Sequence, residues 1–231
     1  MTWIRWLGSF GWGIEDKGDL MKKYYYIKSI IDFILALIGL IVISPLLLII
    51  AILIKIDSKG PVFFLQERLG KDGKIFKIYK FRTMIDGAIN MGSGLRTDEG
   101  DPRITKVGNI LRKTSLDELP QLINVLKGEM SLIGPRPPVP YHPRKYEEYS
   151  NEQKKRFTVK PGITGYAQVV LRNSGTWDER IVYDVEYVEK MSLKFDIYIF
   201  LKTIYSVIKK ENIYLSKEAK SEIPQEIKAK N

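Results

Sequence analysis

The residues best suited to chemistry lie in one run: Leu111-Arg112-Lys113-Thr114-Ser115-Leu116-Asp117-Glu118-Leu119-Pro120-Gln121. Asp117 and Glu118 read as the opening of a helix, because Pro120 is best tolerated in a first turn. The helix dipole favours ionised carboxylates at that end. An ionised aspartate beside cationic groups is suited to attack a phosphorus whose oxygens those cations neutralise, and carboxylate nucleophiles forming aspartyl phosphates are a known strategy. The same spacing also has a purely structural reading. Ser115-x-x-Glu118 fits a capping box, in which the two side chains satisfy backbone N–H groups at the helix start. Adjacent helical residues point about 100° apart, so the two carboxylates would have different tasks.

Phosphate chemistry needs cations, and several are at hand. Arg136 stands between Pro135 and Pro137, a rigid setting in which a guanidinium loses less entropy on gripping a phosphate in its forked geometry. The plain alternative is a solvated arginine in a proline-rich connector. Lys77, Lys80 and Arg82 form a second basic group, and Arg103 and Arg112 a third. Such a cluster suits phosphates, lipid headgroups or nucleic acid. The net charge of +10, from 37 Lys+Arg against 27 Asp+Glu, agrees with anionic partners. No P-loop or dinucleotide fingerprint occurs. The chain has no cysteine and one histidine, His142, which excludes disulfides, thiolate sites, a Cys nucleophile, a His-based triad and a multi-histidine metal site. His142 itself reads as a loop residue.

The elements that must hold these groups follow from the pattern of the 231 residues. Residues 33–54 are 22 consecutive uncharged residues between Asp32 and Lys55. As a helix they would span about 33 Å, against about 30 Å of hydrocarbon. This predicts a membrane helix, broken at Ser44-Pro45, where proline removes a backbone hydrogen bond. Basic residues flank it on both sides: Lys22, Lys23 and Lys28 before, Lys55, Lys59 and Arg68 after. The positive-inside tendency keeps both flanks cytoplasmic, so the helix is expected to enter and leave on one side. A single-pass helix with a tolerated kink is the alternative.

Residues 62–68 and 74–81, around Gly70-Lys71-Asp72-Gly73, predict a β-hairpin. Residues 86–102 read as a mobile loop. Leu119, Leu122, Ile123 and Leu126 predict a helix over 117–127. Residues 135–143 hold five prolines and cannot be regular helix. Helices are expected at 178–190 and 195–210. The second places Ile197, Phe200, Leu201, Ile204 and Ile208 on one face, either toward the core or on anionic lipid. The domain reading is an extension at 1–20, an anchor at 21–56, a cytoplasmic catalytic domain at 57–215 and a disordered tail at 216–231. Trp3, Trp6 and Trp12 make the extension either an interfacial belt or extraneous sequence before Met21.

In order along the chain stand Ser44-Pro45, then Ile75-Phe76-Lys77-Ile78-Tyr79-Lys80-Phe81-Arg82-Thr83-Met84, then Leu116-Asp117-Glu118-Leu119-Pro120-Gln121. Gly128-Glu129-Met130-Ser131 then leads to Gly134-Pro135-Arg136-Pro137, and Lys160-Pro161-Gly162-Ile163-Thr164-Gly165 comes last. With these motifs, from about Lys28 to Tyr214, the chain resembles the small monotopic phosphoglycosyl transferases, the bacterial sugar transferase family acting on polyprenyl phosphate. The resemblance implies an α+β, mainly helical fold: a reentrant membrane helix, a short β-hairpin and amphipathic interfacial helices around a small globular catalytic domain. It implies transfer of a sugar-1-phosphate from a UDP-sugar to polyprenyl (undecaprenyl) phosphate, with release of UMP. Asp117 would be the nucleophile, and Glu118 would assist and help hold a required Mg²⁺. Arg136 and the basic residues Arg112, Lys80, Arg82 and Arg103 would bind phosphate. The expected location is the inner leaflet of the cytoplasmic membrane. One departure falls at Val170-Leu171-Arg172, where relatives often read Asn-Gly-Arg; Arg172 keeps the charge. The competing reading is a non-catalytic, membrane-tethered anion-binding or scaffold protein. Nucleic-acid binding has no recognisable module behind it.

Overall fold

The computed structural model describes residues 17–91, 100–172 and 174–209. The expectations for residues 1–16, for residues 92–99 of the 86–102 loop and for the 216–231 tail lie outside these.

The first element, α1 (Lys17–Asp57), is one long helix that contains Pro45. It begins four residues before Met21. One stripe of it is buried, carrying Lys28, Asp32, Ala36, Ile50 and Ile54 at helical spacing. The remaining faces expose Phe33, Ile38, Ile41, Val42, Leu48 and Ile52. A helix apolar all round with a single covered stripe is suited to lipid on its other sides. The break expected at Ser44-Pro45 does not interrupt α1; there the Ser44 hydroxyl donates to the Ile41 carbonyl at 2.8 Å, the carbonyl that Pro45 leaves without an N–H partner.

After α1 come β1 (Phe63–Leu69) and β2 (Ile75–Phe81), an antiparallel hairpin with Leu69 opposite Ile75. Its turn works because Asp72 (φ 54) and Gly73 (φ 75) accept left-handed backbone. α2 (Lys106–Thr114) starts at Thr105, whose side chain accepts from the Gly108 N–H, and Asp57 at the end of α1 accepts from Val107 N at 2.8 Å. The helix predicted over 117–127 is divided. Leu116–Gln121 is a 3₁₀ turn, and only Leu122–Leu126 (α3) is α-helical.

Two short strands, β3 (Ser131–Ile133) and β4 (Gly162–Thr164), pair in parallel. Between them lies α4 (Asn151–Lys154), and after them α5 (Tyr166–Leu171). A Cβ on Gly162 would lie 2.1 Å from the Gly134 nitrogen, so only glycine lets these two loops meet. α6 (Trp177–Lys190) begins with a complete capping box, Thr176 with Glu179. It serves two apolar clusters, giving Ile181 and Val185 to Leu69, Tyr149 and Phe157, and Tyr187 and Val188 to Ile133, Val159 and Ile199.

In α7 (Leu193–Lys209) the residue that enters the core is Ile199. The face predicted from periodicity, with Ile197, Phe200, Leu201, Ile204 and Ile208, is exposed. The chain is thus mainly helical, with one antiparallel hairpin, a parallel pair and one long apolar N-terminal helix.

Candidate active site

The 3₁₀ turn that carries Asp117 and Glu118 is held against the hairpin by Asn124. This fully buried amide accepts from Tyr79 N at 3.0 Å and donates to the Lys77 carbonyl at 2.8 Å. It thereby satisfies backbone groups on the free side of β2, which would otherwise stand unpaired. The docking places Lys80 of β2 directly over the turn. Lys80 Nζ lies 2.6 Å from Glu118 Oε1, and Arg136 Nη2 lies 3.2 Å from the same oxygen.

The capping-box reading of Ser115 is therefore overturned. Ser115 sits in left-handed backbone (φ 57), makes no side-chain cap bond, and ends α2 through its backbone N–H instead, while the Glu118 carboxylate is turned toward two cations. The helix-dipole argument falls with it, since the carboxylates sit on a six-residue 3₁₀ turn.

The electrostatics of the two acids differ. Burial alone would raise the Glu118 carboxyl, but Lys80 and Arg136 outweigh it and hold it well below the usual carboxylate range. Asp117 has no side-chain partner among the described residues. Burial pushes its pKa up to about 6; Lys80 works against this, Glu118 adds to it, and Arg112 also lowers it. Asp117 is thus ionised at neutral pH yet more basic than an ordinary aspartate. That combination suits a nucleophile.

Arg112 is aimed by Thr83, whose hydroxyl accepts from its Nε at 2.8 Å. A Cβ on Gly108 would lie 2.0 Å from the Thr83 carbonyl oxygen, so α2 reaches this position only because that residue is glycine. Arg136 is held from behind by Arg156, whose Nη2 donates to the Arg136 carbonyl at 2.8 Å and pairs with Asp184 at 2.6 Å.

Asp117, Glu118, Lys80, Arg112, Arg136 and Arg172 all line one cavity of about 1230 Å³. Arg82 and Arg103 are used differently. Arg82 donates to the Ser58 and Lys59 carbonyls at the end of α1. Arg103 binds Asp101 and the carbonyls of Ala88 and Met91 and does not line the cavity. Ser44 and Pro45 lie in α1, away from these groups. His142 is buried edge-on to Trp177, with ring centroids 5.7 Å apart, and both line the cavity.

Two features escaped the reading of the sequence. Arg68 lines the cavity, donates to the Pro137 carbonyl at 2.9 Å, and has its pKa lowered to about 10 by burial and by Arg136, which leaves it charged. The available signal was the period-two face of β1, which it shares with Phe64 and Gln66. The second is a buried group around Lys28, which lies 2.6 Å from Asp196 and 3.5 Å from Asp32. The Lys28–Asp32 spacing of four was the visible half of it.

Among the described residues no cluster of three His, Cys, Asp or Glu side chains exists. A Mg²⁺ ion bound through one or two carboxylates plus substrate phosphates needs no such cluster. Glu118 meets its two cations through Oε1, and its Oε2 makes no bond to a described residue. The donor set fits such an ion.

A family profile described as bacterial sugar transferase matches residues 23–210, and the chain belongs to that family. It is 43% identical over 196 residues to a UDP-N-acetylgalactosamine-undecaprenyl-phosphate N-acetylgalactosaminephosphotransferase of Aeromonas hydrophila, covering 83% of this chain and 46% of the relative. It is 44% identical over 184 residues to a UDP-glucose:undecaprenyl-phosphate glucose-1-phosphate transferase of Escherichia coli, covering 78% and 39%. An uncharacterised sugar transferase of Bacillus subtilis is 42% identical over 188 residues, covering 81% and 90%. The chain thus spans less than half of the first two relatives.

Proposed function

We propose that the protein is a phosphoglycosyl transferase that moves a sugar-1-phosphate from a UDP-sugar to undecaprenyl phosphate through a covalent Asp117 intermediate. The observation that carries this reading is the basic carboxylate of Asp117, without a side-chain partner among the described residues, beside a glutamate whose charge is taken up by Lys80 and Arg136. An Asp117 oxygen attacks the β-phosphorus, the bond from that phosphorus to the bridging oxygen breaks, and UMP leaves with the electron pair. Lys80, Arg112 and Arg136 offset the charge that the diphosphate brings. An oxygen of the acceptor phosphate then attacks the same phosphorus, and the Asp117 carboxylate leaves unchanged. No bond to the sugar carbon is broken, so the anomeric configuration is kept. Glu118, with substrate oxygens, would hold a Mg²⁺ ion, which supplies further charge neutralisation on the transferring phosphoryl group.

The test uses the protein in lipid nanodiscs with UDP-glucose or UDP-N-acetylgalactosamine and no acceptor. One equivalent of UMP per protein is expected, with a sugar-phosphate mass on the Asp117 peptide that polyprenyl phosphate discharges. UMP appearing only after the acceptor is added would refute the covalent route.

In this reading α1 is reentrant in the inner leaflet and the globular part faces the cytoplasm. Support comes from the two ends of its apolar run. Ala36 packs with Ile78, Val125 and Met130, while Ile50 and Ile54 pack with Phe81 and Leu111, so both ends rest on one charged, water-facing body. A straight spanning helix would separate them by the bilayer. Single cysteines in place of the exposed Tyr26 and Lys59 should both resist an impermeant thiol reagent in intact cells. Labelling of position 26 there would mean that the helix spans. The exposed apolar face of α7, with Lys194, Lys202 and Lys209 around it, is read as resting on anionic lipid.

A further inference from the structure

Arg136 is a long side chain on a loop, and the fold must aim it. Its neighbours Pro135, Pro137 and Pro138 have no N–H, so this stretch is tied to the rest of the molecule through its carbonyls. Each carbonyl from 135 to 138 is tied. The Pro135 carbonyl accepts from Gly162 N at 2.9 Å, and the Arg136 carbonyl from Arg156 Nη2 at 2.8 Å. The Pro137 carbonyl accepts from Arg68 Nη1 at 2.9 Å, and the Pro138 carbonyl from Leu69 N at 2.9 Å. A peptide unit is planar, so holding its oxygen restrains the whole plane. The planes on both sides of the Arg136 Cα are held in this way, the first by Gly162 and the second by Arg156. Together they restrain φ and ψ of residue 136, and so the direction in which its side chain leaves the loop toward Glu118.

We infer that Arg156, with Asp184 as its counter-ion, is a positioning residue that aims the Arg136 guanidinium at the diphosphate of the nucleotide sugar, an inference that rests on the phosphate-binding role proposed above for Arg136. Arg156 does not touch that substrate. It does not line the cavity, and its side chain keeps 1% of its surface. It reaches Asp184 Oδ2 through Nε at 3.1 Å and Nη2 at 2.6 Å, so the acid orients the same Nη2 that donates to the Arg136 carbonyl. Stability gives little reason for such a pair. A buried ion pair is often matched or bettered by apolar side chains of similar volume, and the sequence neighbours Phe157 and Val185 already pack in one apolar cluster. What an apolar pair could not supply is a donor for the Arg136 carbonyl. Position therefore explains the pair where stability does not.

UDP carries the diphosphate common to any UDP-sugar and serves as the probe, its Kd measured by calorimetry on the protein in nanodiscs with Mg²⁺. Arg136→Ala should weaken UDP about thirtyfold, the loss of a charge-assisted contact. Arg156→Met made together with Asp184→Leu leaves no charge buried alone, and should weaken UDP about tenfold. Added to Arg136→Ala, the same two replacements should change Kd by less than about twofold, because no guanidinium remains to be aimed. An equal loss in both backgrounds, or none in either, would overturn the assignment, as would an Arg136→Ala protein that binds UDP like the wild type. If thermal unfolding shows that the doubly replaced protein does not fold, Arg156→Lys decides the matter. It keeps the charge beside Asp184 but loses the fork that serves both partners, and should weaken UDP about fivefold, again only when Arg136 is present. The same loss without Arg136, or no loss with it, would overturn the proposal. UDP binding needs no turnover. A protein that gives no acceptor-free UMP burst would therefore refute the covalent route, while the Kd values still decide whether Arg156 acts through Arg136.

Discussion

Two ionic groups occupy similar positions beneath the surface of this protein and are built to opposite ends. Around Lys28, the side chains of Lys28, Asp32 and Asp196 keep 8%, 8% and 7% of their surface. Every carboxylate there has a partner: Asp196 takes Lys28 and the hydroxyls of Tyr24 and Tyr187, and Asp32 takes Lys28 and Ser131. Around Glu118, the side chains of Lys80, Glu118 and Arg136 keep 15%, 22% and 34%, and the neighbouring Asp117 carboxylate has no side-chain partner among the described residues. A buried charge is tolerable only when paired and hydrogen-bonded. The closed group therefore serves as a joint between α1, β3 and α7. The open group leaves its capacity for a ligand, which can bring the missing charges with it.

Substitutions can break this contrast. The largest effect is expected from Asp117→Asn, which keeps shape and removes the charge of the carboxylate proposed as the nucleophile. Turnover should fall by about 1,000-fold or more, roughly 4 kcal/mol of transition-state stabilisation, with no adduct and an unchanged melting temperature. An adduct trapped on that variant would move the nucleophile elsewhere. Asp196→Ala should do the reverse. Removing one partner of a buried ionic group costs about 3 kcal/mol, or about 6–12 °C in Tm for a chain of this size. Measured by thermal unfolding in nanodiscs, a shift under 2 °C would show that the joint is not structural; the burst per folded molecule should persist.

Glu118→Gln removes the charge that Lys80 and Arg136 share. A loss of about 100-fold in kcat/KM is expected, about 2.7 kcal/mol, together with a higher Mg²⁺ concentration for half-maximal rate. An unaltered Mg²⁺ titration would free Glu118 of any metal role. The smallest change is Arg136→Lys, which keeps the charge but not the forked geometry. About a tenfold rise in KM for the nucleotide sugar should follow, with little change in stability. If that KM does not move, Arg136 serves Glu118 and not the substrate.

Much of the fold was legible along the chain because it rests on local physics. The uncharged run of residues 33–54 announces a membrane helix by length and composition. The hairpin follows from β-prone runs around a turn that accepts left-handed backbone, α6 from the Thr176–Glu179 capping box, and α7 from its apolar period. The Ser44 bond to Ile41 is the local repair that Pro45 demands. The ordered motifs likewise pointed to the family, since each lies in contiguous residues.

What the tertiary structure alone decided are the pairings between distant residues. Sequence spacing made Ser115 and Glu118 a plausible cap. Only the packing of the turn on β2 gave Glu118 stronger partners, Lys80 and Arg136, 38 and 18 residues away. Among similar cations, composition could not separate Lys80 and Arg136, which meet Glu118, from Arg82 and Arg103, whose guanidinium groups hold backbone carbonyls. Nor could it place Ile199 inward and the stronger-looking stripe of α7 outward, because a helix apolar on most sides has no preferred face until its neighbours are present. Helices, turns and membrane segments arise from neighbours in sequence. The raised pKa of Asp117 depends on burial, on Glu118 and on cations that only the folded chain brings beside it.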